Sequence, residues 1–306
     1  MTTVAAIDCG TNTIKLMVAD LDRASGAAQV HVREARMVRL GQDVDRSGEL
    51  APEALARTFA AIDEYAAAIA EYPVQRIRFC ATSAARDARN GAEFAAGVRE
   101  RLGIDPEVVA GAEEAALSFD GAVRNLRDQH PEPLLVVDIG GGSTELILGS
   151  LADGPRAAHS MDIGSVRLFE RHFDSGPATP EQLAAAIADI DGALDACPVP
   201  AGEARTVVGV AGTIITVAAG VLGLDGYDRE RIDQAVLPTP AVHHAVTGLL
   251  ERSVAERLAL PYMHPGRADV IGAGALILDR VLRRTAVEAL VISESDILDG
   301  IAWSVA

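Results

Sequence analysis

Apolar and polar residues alternate through VAAIDCGTNTIKLMVAD at 4–20, and the same rhythm returns 130 positions later in LLVVDIGGGSTELILGS at 134–150. With that shift Asp8 falls on Asp138, Gly10 on Gly140, Thr13 on Ser143 and Leu16 on Leu146. Each copy predicts an apolar strand ending in Asp, a turn of Gly and small hydroxyl residues, and a second alternating strand, which together make a β-hairpin with a polar tip. After the first hairpin the pattern predicts strand-like character over Gln29–Leu40, a helix over Pro52–Glu71, a short strand Arg76–Ala81, and helices over Gly91–Leu102 and Ala112–Arg124. The second half continues with a helix over Pro180–Ala196 after the breaker run SGPATP, then a buried strand Thr206–Val210 running into AGTIITVAAG. Helices over Thr239–Leu258 and Ala268–Arg284, a strand Ala289–Ser293 and a last amphipathic helix from about Asp296 complete it.

Two halves that open alike and continue as mixed strand and helix predict an α/β fold of two domains related by duplication, with both hairpin tips lining a cleft. The polar loop Arg127–Pro133 is the natural boundary, giving domains 1–126 and 127–306; whether the final helix packs back on the first domain stays open.

Composition narrows the function. With 49% hydrophobic and 23% charged residues the chain is ordinary globular material, not disordered, collagen-like or coiled coil. A net charge of −17 argues against nucleic acid and anionic membranes as partners, so any anionic substrate must be held by local donors. Lys15 is the only lysine among 27 basic residues. No apolar run approaches the ~20 residues of a membrane span and the N-terminus has no leader pattern, so a cytoplasmic location is expected. Cys9, Cys80 and Cys197 lack metal-ligand spacing and are expected to be reduced structural thiols.

The candidate chemistry sits in the repeated turns. Glycine lets backbone N–H groups close on an anion, and successive N–H groups in a turn cradle phosphate oxygens. Gly10, Thr11, Asn12 and Thr13 form one such turn, and Gly140, Gly141, Gly142 and Ser143 the other, with Thr144 as an added donor. Asp8 and Asp138 at the strand ends could hold a hard divalent cation. Glu145 stands where the first hairpin has Lys15, so the two tips offer a carboxylate and an ammonium. A helical stretch opens with Glu113 and Glu114, and Glu114 is a candidate for orienting or deprotonating a water. Arg39, Arg86 and Arg89 lie near strand ends, Arg86 the strongest of them because ATS precedes it. A third small-residue turn lies at 210–214, while His243, His244 and His264 have no ligand spacing.

In order, the segments IDCGTNTIKLMVAD, RFCATSAARDARN, VVAGAEEAALSF, VVDIGGGSTELILG, MDIGSVRLFERHF and VVGVAGTIITVAAG resemble the exopolyphosphatase and guanosine pentaphosphate phosphohydrolase family of the actin-like superfamily. The resemblance implies two actin-like (ribonuclease H-like) domains and removal of terminal orthophosphate from polyphosphate, with guanosine pentaphosphate as the alternative substrate. It also implies Mg2+ as cofactor, with Mn2+ as a substitute. Carried onto this chain it implies Glu114 as the catalytic carboxylate with Glu145 as partner, Asp138 and Gly140–Ser143 as the phosphate and metal turn, Gly10–Thr13 as the matching turn, and Arg86 as the basic residue that meets phosphates. Lys15 stands where Arg is commoner, which loosens a bidentate grip on phosphate. Many relatives continue into a helical extension whereas this sequence stops at Ala306, so short polyphosphate is the expected substrate. Competing readings are an actin-like kinase and a non-catalytic polyphosphate or nucleotide sensor; acids facing a polyanion disfavour the sensor. A homodimer is expected only as the commonest assembly of soluble proteins.

Overall fold

A computed structural model of the chain describes residues 1–126 and 130–306. Positions 127–129, in the loop expected as the domain boundary, lie outside the described residues. The chain divides into two compact units, Met1–Gly121 with Ile297–Ala306, and Ala122–Asp296. The division falls inside the helix Gly111–Arg124, and the final helix Ile297–Ser304 belongs to the first unit.

In the first unit β1 (Thr2–Cys9), β2 (Thr13–Asp22), β3 (Ala27–Met37), β4 (Arg76–Ala81) and β5 (Glu107–Val108) form a sheet ordered β3-β2-β1-β4-β5. In the second, β6 (Leu134–Ile139), β7 (Thr144–Ser150), β8 (Gly154–Met161), β9 (Thr206–Val210), β10 (Val236–Pro238) and β11 (Ala289–Ile292) are ordered β10-β11-β9-β6-β7-β8. Read from its other end, β8-β7-β6-β9-β11 repeats the first order strand for strand. The directions repeat too, with β1/β2, β2/β3, β6/β7 and β7/β8 antiparallel and β1/β4, β4/β5, β6/β9 and β9/β11 parallel. Only β10, antiparallel to β11 at the edge, is added. Two copies of this sheet with helices make the duplicated α/β fold that the repeated hairpins predict, in the actin-like (ribonuclease H-like) form that the family resemblance implies.

Burial follows position in the sheet. The inner strands β6 (LLVVDI) and β9 (TVVGV) are buried throughout, as strands covered on both faces must be, and so read as largely apolar runs with Asp138 as the buried charge. The edge strand β3 is mostly exposed or half-buried and carries His31, Arg33, Glu34 and Arg36, charges that blunt an open edge. On β1 the period of two sends Ala5, Ile7 and Cys9 into one core with the helices Pro52–Ala70 and Gly91–Leu102, where Tyr65 Oη donates to Ile14 O at 3.0 Å. Val4 and Ala6 point the other way, packing with Met17 and Ala19 against Ile297, Ile301 and Trp303 of the final helix.

That helix is fixed at both ends by arginines of its own unit. Arg33 holds Asp299 with two bonds of 3.1 and 2.8 Å, while Arg23 and Arg76 donate to the last carbonyls, Trp303 O, Ser304 O and Val305 O. The stretch Thr239–Leu258, expected as one helix, is two, Thr239–Leu250 and Val254–Leu258. Ser253 and Glu256 form a capping box that starts the second. Cys9, Cys80 and Cys197 are free thiols, and burial pushes the Cys80 thiol up to about 12, which keeps it unreactive.

Gly192 lies exposed inside the helix Pro180–Ala196 with nothing within 4 Å of the place a Cβ would take. Gly192→Ala is therefore expected to stabilise the protein by about 0.5–1 kcal/mol, through higher helix propensity and lower unfolded-chain entropy. Urea unfolding of the two proteins checks this, and an unchanged or lower midpoint contradicts it.

Candidate active site

In the first unit the β1–β2 turn is tied down from behind. Gly10 N donates to Thr13 O at 3.0 Å and closes the turn. The carbonyls of the turn are then occupied, Thr11 O by Gly41 N at 2.8 Å and Asn12 O by Val38 N and Arg39 N at 3.0 and 2.9 Å. With Gly10 N spent in closing the turn, the donors left to meet a phosphate are N–H groups of the residues that follow it. The strap that does this, Val38 to Gly41, leaves β3 through Arg39 at φ 50, a left-handed conformation that costs a non-glycine residue about 1 kcal/mol or more.

Two side-chain pairs complete this half. Asp8 and Lys15 face each other across β1 and β2 and form an ion pair of 3.2 Å, with Asp8 only 5% exposed. Thr11 Oγ1 lies 2.8 Å from Ser83 Oγ, joining the turn to the short helix Ser83–Asp87 that carries Arg86. Arg86 Nη1 donates to Glu114 Oε2 and to Val109 O, both at 3.0 Å. Glu114 is 6% exposed. The adjacent Glu113 takes the opposite course, accepting 2.6 Å from Arg78 on β4 while its side chain stays half in solvent. Two arginines thus sort two neighbouring carboxylates, and only Glu114 joins Arg86. Thr13 Oγ1 is turned to the Met37 thioether at 3.3 Å, and Arg89 holds Ser47 O and Glu49 in an exposed loop. The Asn12 Oδ1 is buried with no hydrogen-bond partner among the described residues.

The second unit repeats the arrangement with different chemistry. Gly140 N donates to Ser143 O at 3.0 Å, and again a strap takes the turn's carbonyls, Ser165 N on Gly140 O at 2.9 Å and Val166 N and Arg167 N on Gly141 O at 2.8 and 3.1 Å. Arg167 Nε occupies the remaining one, Gly142 O, at 2.8 Å. Thr144 hydroxyl, expected to face phosphate, instead holds the strap by donating to Ile163 O at 2.7 Å. Asp138 and Glu145 are directly opposed across β6 and β7, 8% and 2% exposed, on the sheet face shared with Leu134, Val136 and Ile147. Ser160, opposite Glu145 on β8, donates to its Oε1 at 2.6 Å.

Directly opposed like charges gain from a cation beside them. Among the described residues no group of three or more His, Cys, Asp or Glu side chains gathers, and Asp138 and Glu145 offer a metal two carboxylates with water for the remaining positions. That donor set suits a small hard cation that keeps several waters. Asp8, the third carboxylate expected at a metal, has Lys15 as its cation.

The third small-residue stretch is a helix start. Val210 ends β9, Ala211 has φ 67, and the helix Ala211–Val221 follows. The Arg267 guanidinium packs against Gly212, and burial lowers its pKa from the usual arginine value. His243 bonds Asp279 at 2.6 Å and His264 accepts from Gly266 N at 3.1 Å, so both serve local structure. Sequence reasoning missed the straps, Ser83, Ser160 and the turn-facing role of Arg167. The signal available was a glycine in each strap, Gly41 and Gly164, each preceded or followed by a Val-Arg pair.

Comparison with known proteins agrees with this architecture. The chain is 43% identical over 319 aligned residues to Exopolyphosphatase 2 of Mycobacterium tuberculosis, covering 100% of this chain and 99% of that protein. Among solved structures, an exopolyphosphatase-like protein superposes with a TM-score of 0.96 at 42% identity, covering 100% of this chain and 98% of that one. An exopolyphosphatase from Cytophaga hutchinsonii superposes with a TM-score of 0.90 at 25% identity, over 99% and 97% of the two chains. The sequence model of the Ppx/GppA phosphatase family matches residues 18–306, and with these full-length likenesses it makes the chain a member of that family.

Proposed function

We propose that this protein is an exopolyphosphatase that releases terminal orthophosphate from inorganic polyphosphate, short chains included, by metal-assisted transfer of the phosphoryl group to water. The observation that carries the reading is the Arg86–Glu114 pair, a carboxylate 6% exposed and held at 3.0 Å by a guanidinium tied to the glycine turn through Ser83 and Thr11. The full-length likeness to named exopolyphosphatases supports the same choice of substrate.

The N–H groups that follow Gly10 and Gly140 in the two turns bind phosphate oxygens, because Gly10 N and Gly140 N close the turns and the straps hold Thr11 O, Asn12 O, Gly140 O and Gly141 O from behind. Arg86 contributes a delocalised positive charge toward the phosphates and fixes the rotamer of Glu114. Glu114 accepts a hydrogen bond from the attacking water and so aims its lone pair. Phosphoryl transfer through a loose transition state asks more for this orientation than for early proton removal. Asp138 and Glu145 would hold Mg2+, which when bound neutralises charge on the phosphate oxygens. Lys15 stays with Asp8 and adds a positive charge at the first turn.

The test is orthophosphate release from tripolyphosphate and longer polyphosphates with the purified protein and Mg2+ or Mn2+. Release that proceeds from chain ends is the expected result. No release at any chain length with either metal rejects the reading. Preferential hydrolysis of guanosine pentaphosphate in direct competition would reassign the substrate.

A further inference from the structure

The two sheets carry the same row of three residues across their first three strands, one level below each glycine turn. In the first unit the row is Asp8, Lys15 and Ala35 on β1, β2 and β3; in the second it is Asp138, Glu145 and Ser160 on β6, β7 and β8. The first row is neutralised within itself, since Lys15 meets Asp8 at 3.2 Å, and the third position is an alanine that contributes no polar group. The second row opposes two acids, and there the third position is a hydroxyl that donates to Glu145 Oε1 at 2.6 Å. The third position is a serine in the row whose middle residue is a carboxylate and an alanine in the row whose middle residue is a lysine.

We propose that Ser160 is a positioning residue for Glu145. Its hydroxyl donates to Oε1 at 2.6 Å, which fixes the rotation of the carboxylate group beside Asp138. A carboxylate 2% exposed and held this way arrives at a cation already oriented, and outer hydrogen bonds of this kind usually change metal affinity by about 10- to 100-fold when removed. The inference rests on the reading of Asp138 and Glu145 as cation ligands and adds a role for β8, which no glycine turn and no acid marks.

The experiment is calorimetric titration of the substrate-free protein with Mn2+, for wild type, Ser160→Ala and Ser160→Thr, alongside thermal unfolding and the metal dependence of phosphate release. Ser160→Ala is expected to weaken Mn2+ binding about tenfold with an unchanged melting midpoint, and Ser160→Thr, which keeps the hydroxyl, to stay within about threefold of wild type. A Ser160→Ala protein that binds Mn2+ like wild type, or a Ser160→Thr protein as impaired as Ser160→Ala, overturns the role of the hydroxyl. A wild-type protein that releases phosphate with added metal yet shows no Mn2+ binding that Asp138→Asn abolishes overturns the cation reading beneath it. The two failures are therefore told apart.

Discussion

Glu114→Ala is expected to lower turnover on polyphosphate by 10² to 10⁴-fold, the usual worth of a positioned acid–base group, while the protein remains folded. The fold is spared because Arg86 keeps its second bond, to Val109 O at 3.0 Å, and is itself partly in solvent, so no charge is stranded in the interior. At ~1.36 kcal/mol per decade this is about 3–5 kcal/mol of transition-state stabilisation. Two further variants sharpen the result. Glu113→Ala removes the neighbouring carboxylate, which holds Arg78 and not Arg86, and should change turnover less than about threefold, within the small effects usual for exposed ion pairs. Glu114→Gln keeps the shape and an acceptor for Arg86 but loses the charge, so it should resemble Glu114→Ala if the carboxylate aims water. Steady-state phosphate release with far-UV circular dichroism measures all three. Glu114→Ala turning over at near wild-type rate removes the residue from catalysis.

The contrast between Glu113 and Glu114 also shows where reading the sequence stops. Hydrophobic alternation located both hairpins, and the 130-residue shift aligned Asp8 with Asp138 and Lys15 with Glu145; within each hairpin the register then opposes Asp8 to Lys15 and Asp138 to Glu145. Alternation works there because a buried strand must send alternate residues to opposite faces. Two adjacent acids at a helix start carry no such label: helical geometry turns them apart by about 100°, and only the arginine each one meets decides which is inside. The straps are less legible still. Their work is done by backbone N–H groups reaching carbonyls 25 to 30 positions away, and backbone atoms are the same in every residue. Ser160 was invisible for a related reason, since a lone hydroxyl on an alternating strand is ordinary until its cross-strand neighbour is known. The final helix reads as amphipathic, yet its apolar face does not say which sheet it covers; that follows from Arg23, Arg33 and Arg76, all in the first unit.

Duplication has kept the backbone device and varied the side chains on it. Both turns are closed by the same Gly N–H to residue i+3 carbonyl bond at 3.0 Å, and both are strapped by a Val-Arg pair whose consecutive N–H groups converge on one turn carbonyl. Where the first copy opposes Asp8 to Lys15, the second opposes two acids and buttresses one of them. On the proposed reading, phosphate binding belongs to the conformation of the turn and cation binding to the row beneath it. Substitutions in the two places should separate accordingly, the strap affecting phosphate affinity and the row affecting metal dependence.

Gly164 is where that separation is sharpest. A Cβ at this position would run into the Gly141 carbonyl and come within 2.6 Å of Gly142 N, backbone atoms of the turn itself that no rotamer change can move aside. Gly164→Ala must push the strap and the turn apart, breaking the run of bonds from Ser165, Val166 and Arg167. Overpacking of this kind costs about 1–3 kcal/mol in stability, and displacing the phosphate-binding N–H groups by about 1 Å costs on the order of 10²-fold in rate. The expected protein is folded, melts several degrees lower, binds phosphate poorly and retains Mn2+ binding, because Asp138 and Glu145 lie in the β6–β7 ladder, outside the strap. Gly41→Ala offers a graded comparison. Its Cβ would strike the Thr11 methyl group and approach Ala84 Cβ at 3.1 Å, contacts with side chains that can yield, so its loss should be smaller. If Gly164→Ala instead hydrolyses polyphosphate with wild-type KM, the turn does not depend on its strap, and the phosphate-binding role assigned to its N–H groups fails with it.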